Sequence, residues 1–258
     1  MIQDKVEIIS NKIVAEGFYR MAVRSHRLAK DASPGQFVHV KVSDGGEPLL
    51  RRPFSIHGLD DRDVIVFLYR VQGAGTAAMA ARKAGERLDV IGPIGRGFTV
   101  DGCYKRVVLA AGGIGVAPLL FLAQQYKAKG ADVTALIGAR NKDVLLCASD
   151  FKTLGCRVMT VTDDGSSGSE GFATDLLESV ITGGRGLVAV FACGPKPMMK
   201  RVSVIAGLYD VECEVSLEER MACGIGSCLG CAVITVNGYK KVCADGPVFR
   251  AKDVKWGE

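Results

Sequence analysis

The sequence has few of the features that mark nucleic-acid binding or export. Its 33 Lys and Arg and 28 Asp and Glu leave a formal net charge of +5, and no basic block is long enough for a nucleic-acid arm. The first residues alternate charged and apolar types, where a signal peptide would need a basic start followed by an apolar run. We therefore expect no nucleic-acid partner, no export and a cytoplasmic location.

Long apolar runs are also missing. Residues 107–123 carry no charge, but Gly112, Gly113, Gly115 and Pro118 interrupt them and the segment is short for a spanning helix. We predict a buried strand, a glycine loop and a helix here, and no membrane association.

Histidine is scarce, and no Ser-His-Asp or paired-carboxylate pattern points to a hydrolase. His26, His39 and His57 have neither metal-ligand nor nucleophile spacing, so each is expected to be an ordinary barrel residue. The nine cysteines are an odd number in a chain without an export signal, which favours reduced thiols over a disulfide framework.

Four of the cysteines follow a spacing that is typical of plant-type [2Fe-2S] ligands. Cys223, Cys228 and Cys231 form C-x4-C-x2-C, and Cys243 follows after eleven intervening residues. Asn237-Gly238 predicts a type I′ hairpin that returns Cys243 to the loop. The alternatives are a structural zinc site, which usually pairs its cysteines in two knuckles, and buried thiols without a ligand.

Residues 1–98 lack a long helical period and consist of short alternating runs separated by turn residues, which predicts an antiparallel β-barrel. The expected strands are 6–14, 18–23, 37–42, 63–69 and 88–91. A short helix at 76–83 would be capped by Thr76.

Residues 99–212 alternate strands with helices and predict a doubly wound α/β domain with a parallel sheet. Gly113-x-Gly115-x-x-Pro118 departs from the dinucleotide fingerprint only in its last position. Asp163 and Asp164 follow a predicted strand at 157–162 and could bind an adenosine ribose, which favours NADH over NADPH because a carboxylate repels a 2′-phosphate. A solvated turn is an equal alternative for them. Residues 213–258 would form a small cluster domain.

Several motifs resemble the ferredoxin-NADP reductase superfamily: Arg51-Arg-Pro-Phe-Ser55, Leu68-Tyr-Arg-Val71, Gly73-Ala-Gly-Thr76, the glycine loop and Cys193-Gly-Pro-Lys-Pro-Met198. The resemblance implies that FAD is bound by Arg52, Pro53, Phe54, Ser55, Tyr69, Arg70, Val71, Gly75 and Thr76. It implies that NAD is bound by Gly113, Gly115, Pro118, Asp163, Cys193, Gly194 and Pro195. Ser55 and Cys193 would flank the reacting flavin and nicotinamide. Without a cofactor, Arg52 would be a surface charge, and Phe54 and Cys193 core residues.

The cluster region, residues 218–231 and 242–249, resembles the electron-transfer subunits of B-type dihydroorotate dehydrogenases, and this resemblance covers essentially the whole chain. It implies an FMN-containing catalytic partner, a heterotetramer of two copies of each subunit, and electron flow through the cluster and FAD to NAD+. The alternatives are an NAD(P)H-dependent ferredoxin or sulfide reductase subunit, a hydrogenase diaphorase subunit, and a non-enzymatic zinc-containing NAD sensor.

Overall fold

The computed structural model describes residues 1–43, 45, 47–100 and 103–257. Six antiparallel strands close into a barrel in the order β1-β2-β5-β4-β3-β6. They are β1 (Ile2–Ala15), β2 (Phe18–Arg24), β3 (Phe37–Lys41), β4 (Arg52–Asp61), β5 (Val64–Arg70) and β6 (Arg87–Ile94), with helices α1 (His26–Lys30) and α2 (Ala74–Ala80) between them. Alternate residues such as Val38, Val40 and Ile56 fill the barrel core. The predicted N-terminal barrel is confirmed.

Strand β4 was not among the predicted strands, and it carries the Arg52-Pro-Phe-Ser55 motif. Proline argues against a strand interior because it lacks an N–H donor. Pro53 is tolerated because it lies at the start of β4, opposite His39 of β3.

The second part of the chain is a seven-stranded sheet in the order β10-β9-β8-β7-β11-β12-β15. Its strands are β7 (Arg106–Gly112), β8 (Asp132–Ala139), β9 (Arg157–Thr162), β10 (Ser169–Glu170), β11 (Val188–Cys193), β12 (Glu212–Ser216) and β15 (Val248–Arg250), and all but β15 run parallel to their neighbours.

Helices cover both faces of this sheet. They are α3 (Ala117–Ala128), α4 (Ala148–Thr153), α5 (Leu177–Thr182) and α6 (Lys196–Leu208). Leu119 of α3 and Phe151 of α4 pack with Val107 on one face, whereas Leu177 of α5 and Met199 of α6 pack on the other. The predicted doubly wound domain is confirmed.

The third part is a hairpin of β13 (Ala232–Thr235) and β14 (Gly238–Lys241). The predicted hairpin forms, but its predicted type I′ turn is wrong: Thr235 pairs with Gly238, so the central residues are Val236 and Asn237, and neither has the positive φ that this turn needs. Thr235 sets the turn instead, because its hydroxyl accepts from the Asn237 N–H at 3.2 Å and donates to the Gly238 carbonyl at 2.8 Å.

The nucleotide-binding sheet continues past residue 212, the predicted end of that domain. Strand β12 reaches Ser216, and β15 pairs with it from beyond the hairpin. Cys231, Val242 and Cys243 also share the core that lies under α5 and α6. The division into 1–98, 99–212 and 213–258 stays a prediction. Within the described ranges, none of the helices is long and apolar enough for a membrane crossing.

Candidate functional site

A cavity of about 420 Å³ lies between the barrel and the nucleotide-binding sheet, and we call it the barrel cavity. Eight of the residues predicted to bind FAD line this cavity: Arg52, Pro53, Phe54, Ser55, Tyr69, Arg70, Gly75 and Thr76. Val71 lies outside it, and its N–H donates to the carbonyl of Gly17.

Arg52 reaches the start of α2 because Gly75 has no side chain there. A Cβ on Gly75 would lie only 2.7 Å from Nε of Arg52. The Thr76 hydroxyl fixes the preceding loop by accepting from the N–H groups of Gln72 at 2.8 Å and Gly73 at 3.2 Å. A guanidinium fork beside a turn of backbone is suited to a diphosphate.

Phe54 and Tyr69 form an apolar wall of the barrel cavity, with their rings edge to face and the centroids 5.4 Å apart. The Tyr69 hydroxyl donates to Oδ1 of Asn11 at 2.9 Å, and burial raises the pKa of the phenol. The wall is therefore uncharged at neutral pH, as the planar ring of a flavin requires.

A second cavity, of about 610 Å³, opens at the carboxyl ends of β7, β8, β9 and β11, and we call it the nucleotide cavity. It is lined by the predicted residues Gly113, Gly115, Asp163, Cys193, Gly194 and Pro195, whereas Pro118 lines the barrel cavity. A Cβ on Gly115 would overlap the carbonyl group of Cys193 and lie 2.7 Å from the Gly194 nitrogen. The glycine loop therefore touches the end of β11 directly.

The two cavities share a wall, which is formed by Arg70, Ile114, Gly115, Cys193, Ser216 and Glu218. Burial, with a smaller effect from Glu218, raises the pKa of the Cys193 thiol to about 12, so the thiol is neutral. Ser55 also lines the barrel cavity, so the structure brings Ser55 and Cys193 to one cavity. A ligand in each cavity would meet the other here.

Sequence reasoning missed Ser216 and Glu218. Ser216 reaches the shared wall because β12 pairs with β11 in parallel, so that both strands end at the same edge of the sheet. The position of Glu218 just ahead of the cysteine motif was the one available signal, but no general rule assigns a role to a residue there.

The structure separates Asp163 from Asp164. Asp163 lines the nucleotide cavity together with Arg140, Phe172 and Arg201, which sequence reasoning also missed. Asp164 instead accepts from the hydroxyl of Ser166 at 2.6 Å and from its N–H at 3.0 Å, and these bonds lower the pKa of the Asp164 carboxyl. Asp164 therefore stabilises the turn.

The four cysteines of the motif form two pairs. Sγ of Cys223 lies 3.2 Å from that of Cys228, and Sγ of Cys231 lies 3.3 Å from that of Cys243. No three or more His, Cys, Asp or Glu side chains of the described residues converge as ligands of one ion. Two pairs of thiols fit a cluster of two irons with two ligands each better than one tetrahedral zinc ion.

Backbone N–H groups of the loop point at the sulfur atoms. The Gly226 N–H donates to Sγ of Cys243 at 3.1 Å, and the backbone N–H of Ile225 is the main cause that lowers the pKa of Cys223 to about 6. Gly224 and Gly226 have φ of +67° and +82°, which turns the chain tightly around these sulfurs. The loop therefore favours the thiolate, the form that binds iron, at Cys223, whereas burial and the neighbouring Cys231 raise the pKa of Cys243 to about 11 against the effect of the Gly226 N–H.

Comparison with known proteins agrees with this geometry. The family profile described as the iron-sulfur cluster binding domain of dihydroorotate dehydrogenase B matches residues 218–255, and that of the oxidoreductase NAD-binding domain matches residues 109–203. The electron transfer subunit of dihydroorotate dehydrogenase B (NAD(+)) from Geobacillus sp. (strain WCH70) is 40% identical over 98% of this chain and 99% of its own. The chain belongs to this family of electron transfer subunits.

A second relative of the same description, from Desulforamulus reducens, is 42% identical over 97% of both chains. Among solved structures, an NADH-dependent reduced ferredoxin-NADP oxidoreductase studied for flavin-based electron bifurcation aligns with a TM-score of 0.87 and 31% identity, over 97% of this chain and 90% of its own. Phthalate dioxygenase reductase shares the fold, with a TM-score of 0.70 and 18% identity over 98% of this chain and 96% of its own. These findings confirm the predicted family and agree with FAD, [2Fe-2S] and NAD as cofactors.

Proposed function

We propose that this electron transfer subunit carries electrons from the FMN of a dihydroorotate dehydrogenase catalytic subunit, through [2Fe-2S] and FAD, to NAD+, during orotate formation in pyrimidine synthesis. The contiguity of three sites supports this path. The nucleotide cavity meets the barrel cavity at Cys193 and Glu218, and the barrel cavity is lined by Met221, two residues before Cys223. A flavin, when bound, exchanges electron pairs with nicotinamide and single electrons with a cluster.

The chain's own residues bind and orient the reactants. Arg52 and the loop held by Thr76 provide the diphosphate site, and Phe54 and Tyr69 provide an apolar wall for the ring. Gly115 lets the glycine loop lie against the end of β11, where the neutral Cys193 thiol presents no charge to the nicotinamide. Placement of the reacting groups is the main contribution that a protein makes to such chemistry.

The surface around the cysteine loop supports the proposal of a lasting partner. Ile225 and Leu229 of the loop are 46% and 72% exposed, and Tyr239 of the hairpin is 74% exposed. Residues 213–258 contain six basic and six acidic residues, so no net charge steers a transient encounter. We assign this surface to the catalytic subunit, in a heterotetramer of two copies of each subunit.

A cytoplasmic location is part of the proposal, since reducing conditions keep the cluster thiols available.

The test is reconstitution. Purified holoprotein mixed with an FMN-containing dihydroorotate dehydrogenase should gain dihydroorotate-dependent NAD+ reduction, followed by NADH absorbance. Cys228→Ser should lose the cluster and this activity, while NADH-dependent reduction of a small acceptor persists, because the flavin and nucleotide sites contain no cluster ligand. Cys103→Ser, at an exposed cysteine outside the loop, is the control and should retain both activities. No NAD+ reduction with an iron-loaded, flavin-loaded wild type would contradict the proposal.

A second candidate is a subunit of a ferredoxin-NADP reductase, and the 31% identity to the bifurcating oxidoreductase favours it. The same mixture with reduced ferredoxin in place of dihydroorotate separates the two functions. Reduction of NAD(P)+ by ferredoxin alone would favour this second function.

A further inference from the structure

His39 is a buried histidine on the outer face of the barrel. Its neighbours Val38 and Val40 point into the barrel core, whereas Phe37, on the same face as His39, lines the barrel cavity. The His39 side chain is completely buried, and neither ring nitrogen has a hydrogen-bond partner among the described residues. Buried polar atoms without partners are rare in folded proteins, so these two nitrogens require an explanation.

The imidazole of His39 lies against the start of the loop of residues 223–231, which carries the first three predicted cluster ligands and which we call the cluster loop. A Cβ on Gly224 would overlap Nδ1 and lie 2.6 Å from Cε1 of the ring. The loop therefore needs glycine here for contact with His39 as well as for its φ of +67°. The backbones of Arg51 and Cys223 face the ring as acceptors, yet neither reaches hydrogen-bonding geometry.

Strand β3 thus connects the barrel cavity with the cluster loop. Phe37 and His39 are two residues apart, which is about 7 Å along a strand. Pro53, the partner of His39 on β4, also lines the barrel cavity. A side chain at this position contacts the loop of the first cluster ligand from the side of the proposed flavin site.

We propose that His39 is a positioning residue that holds the Cys223–Gly224 segment against the barrel, with a ring N–H directed at the backbone of Cys223, the first cluster ligand. A donor N–H beside a cluster ligand stabilises the more negative, reduced cluster, so His39 raises the reduction potential. This inference rests on the cluster of the proposed function.

Two substitutions separate donation from packing. Leu in His39→Leu keeps much of the volume and has no donor, whereas Asn in His39→Asn places an amide nitrogen near the position of Nδ1. The midpoint potential of each holoprotein is measured by redox titration followed by EPR, together with the iron content. We expect a lower potential and a changed EPR signal for His39→Leu, and values nearer to wild type for His39→Asn. Identical potentials and signals for His39→Leu and wild type, at equal iron content, would overturn the proposal.

If His39→Leu binds no iron, Gly224→Ala provides the second measurement. Iron content is compared for Gly224→Ala, His39→Ala and the double variant. Gly224→Ala and the double variant both carry the strain of an alanine at positive φ. Only Gly224→Ala also carries the overlap between the new Cβ and the imidazole, because the double variant has no ring at position 39. The double variant should therefore lose less iron than the two single effects combined, and strictly additive losses would overturn the role of His39. A wild type that binds no iron would instead overturn the proposed function.

Discussion

At the scale of single residues, Gly115 is the position where the nucleotide cavity depends most directly on the absence of a side chain. A Cβ there meets backbone atoms of Cys193 and Gly194, which cannot rotate away as a side chain can. Gly115→Ala should separate the glycine loop from β11, cost about 1–3 kcal/mol of unfolding free energy as overpacking does, and raise KM for NADH.

A matched control for Gly115→Ala is Gly207→Ala in α6, where a Cβ meets nothing within 4 Å. Since alanine is a better helix former than glycine, this control should be neutral or more stable by about 0.5–1 kcal/mol. Urea unfolding and NADH kinetics measure both variants. Equal stability and equal KM for Gly115→Ala and wild type would mean that the contact with β11 is not maintained in solution.

At the scale of elements, the loop after β9 contains two adjacent carboxylates with different surroundings. Asp163 lines the nucleotide cavity, whereas Asp164 is bonded to Ser166. Asp163→Ser should remove the repulsion of a 2′-phosphate and shift the NADH to NADPH ratio of kcat/KM toward NADPH on the order of tenfold, or about 1.4 kcal/mol. The measurement is kcat/KM with each nucleotide and a small acceptor. Asp164→Ser should leave the ratio near wild type, and a similar shift in both variants would assign the effect to the loop rather than to Asp163.

Elements with a local signal were predictable, and those that depend on distant pairing were not. The apolar run 107–111 predicted β7, and the glycine loop predicted the start of α3, because a buried parallel strand and a helix start each have a local sequence pattern. Strand β15 has three residues and no pattern of its own, and it exists because β12 offers a free edge to the chain that returns from the hairpin. Strand β4 was also missed, because Pro53 argues locally against a strand and only the pairing with β3 and β5 defines it.

The same distinction between local signals and distant pairing applies to the residues of the candidate site. Gly115, Cys193 and the four cluster cysteines belong to motifs whose spacing reflects a chemical need, so the sequence alone singles them out, and their binding roles stay predictions. Ser216, Glu218 and His39 belong to no motif. Their places follow from the pairing of β11 with β12 and from the packing of β3 on the cluster loop. Such contacts join parts of the chain that are far apart in sequence, so no local pattern records them.

At the scale of the whole molecule, His57 links the barrel to the nucleotide-binding domain. Its Nδ1 donates to the carbonyl of Ala117 at the start of α3, 2.7 Å away, and Nε2 lies 4.0 Å from Sγ of Cys147. Burial lowers the pKa of His57 below its ordinary value of 6.5. The charge of Arg20 lowers it further, while Asp150, Asp60 and the bond to Ala117 act in the opposite direction. The imidazole is therefore neutral in the folded protein at neutral pH.

This depressed pKa predicts an acid-sensitive stability. As pH falls below 6.5, the unfolded chain takes up a proton at His57 before the folded protein does, so the stabilisation present above that pH is lost. The loss is at most about 1.4 kcal/mol per pH unit for this one group. Urea unfolding by circular dichroism should show that the stability advantage of wild type over His57→Gln shrinks on acidification. His26→Gln, at an exposed histidine, should follow the wild-type curve, and a constant gap between wild type and His57→Gln would contradict the prediction.

The exposed loop of the cluster region makes a prediction about the assembled enzyme. Leu229 lies between two cluster ligands and is 72% exposed, so in the proposed complex its side chain is buried against the catalytic subunit. Leu229→Glu would bring a charge into that contact and should weaken association by about 2 kcal/mol, or roughly thirtyfold in Kd. Leu208→Glu is the matched control, because Leu208 ends α6 and is 76% exposed outside the cluster region. Kd is measured by titration with the catalytic subunit, and iron content with NADH-dependent reduction of a small acceptor verifies that each variant is intact. If both substitutions raise Kd equally, or if neither raises it, the partner binds elsewhere.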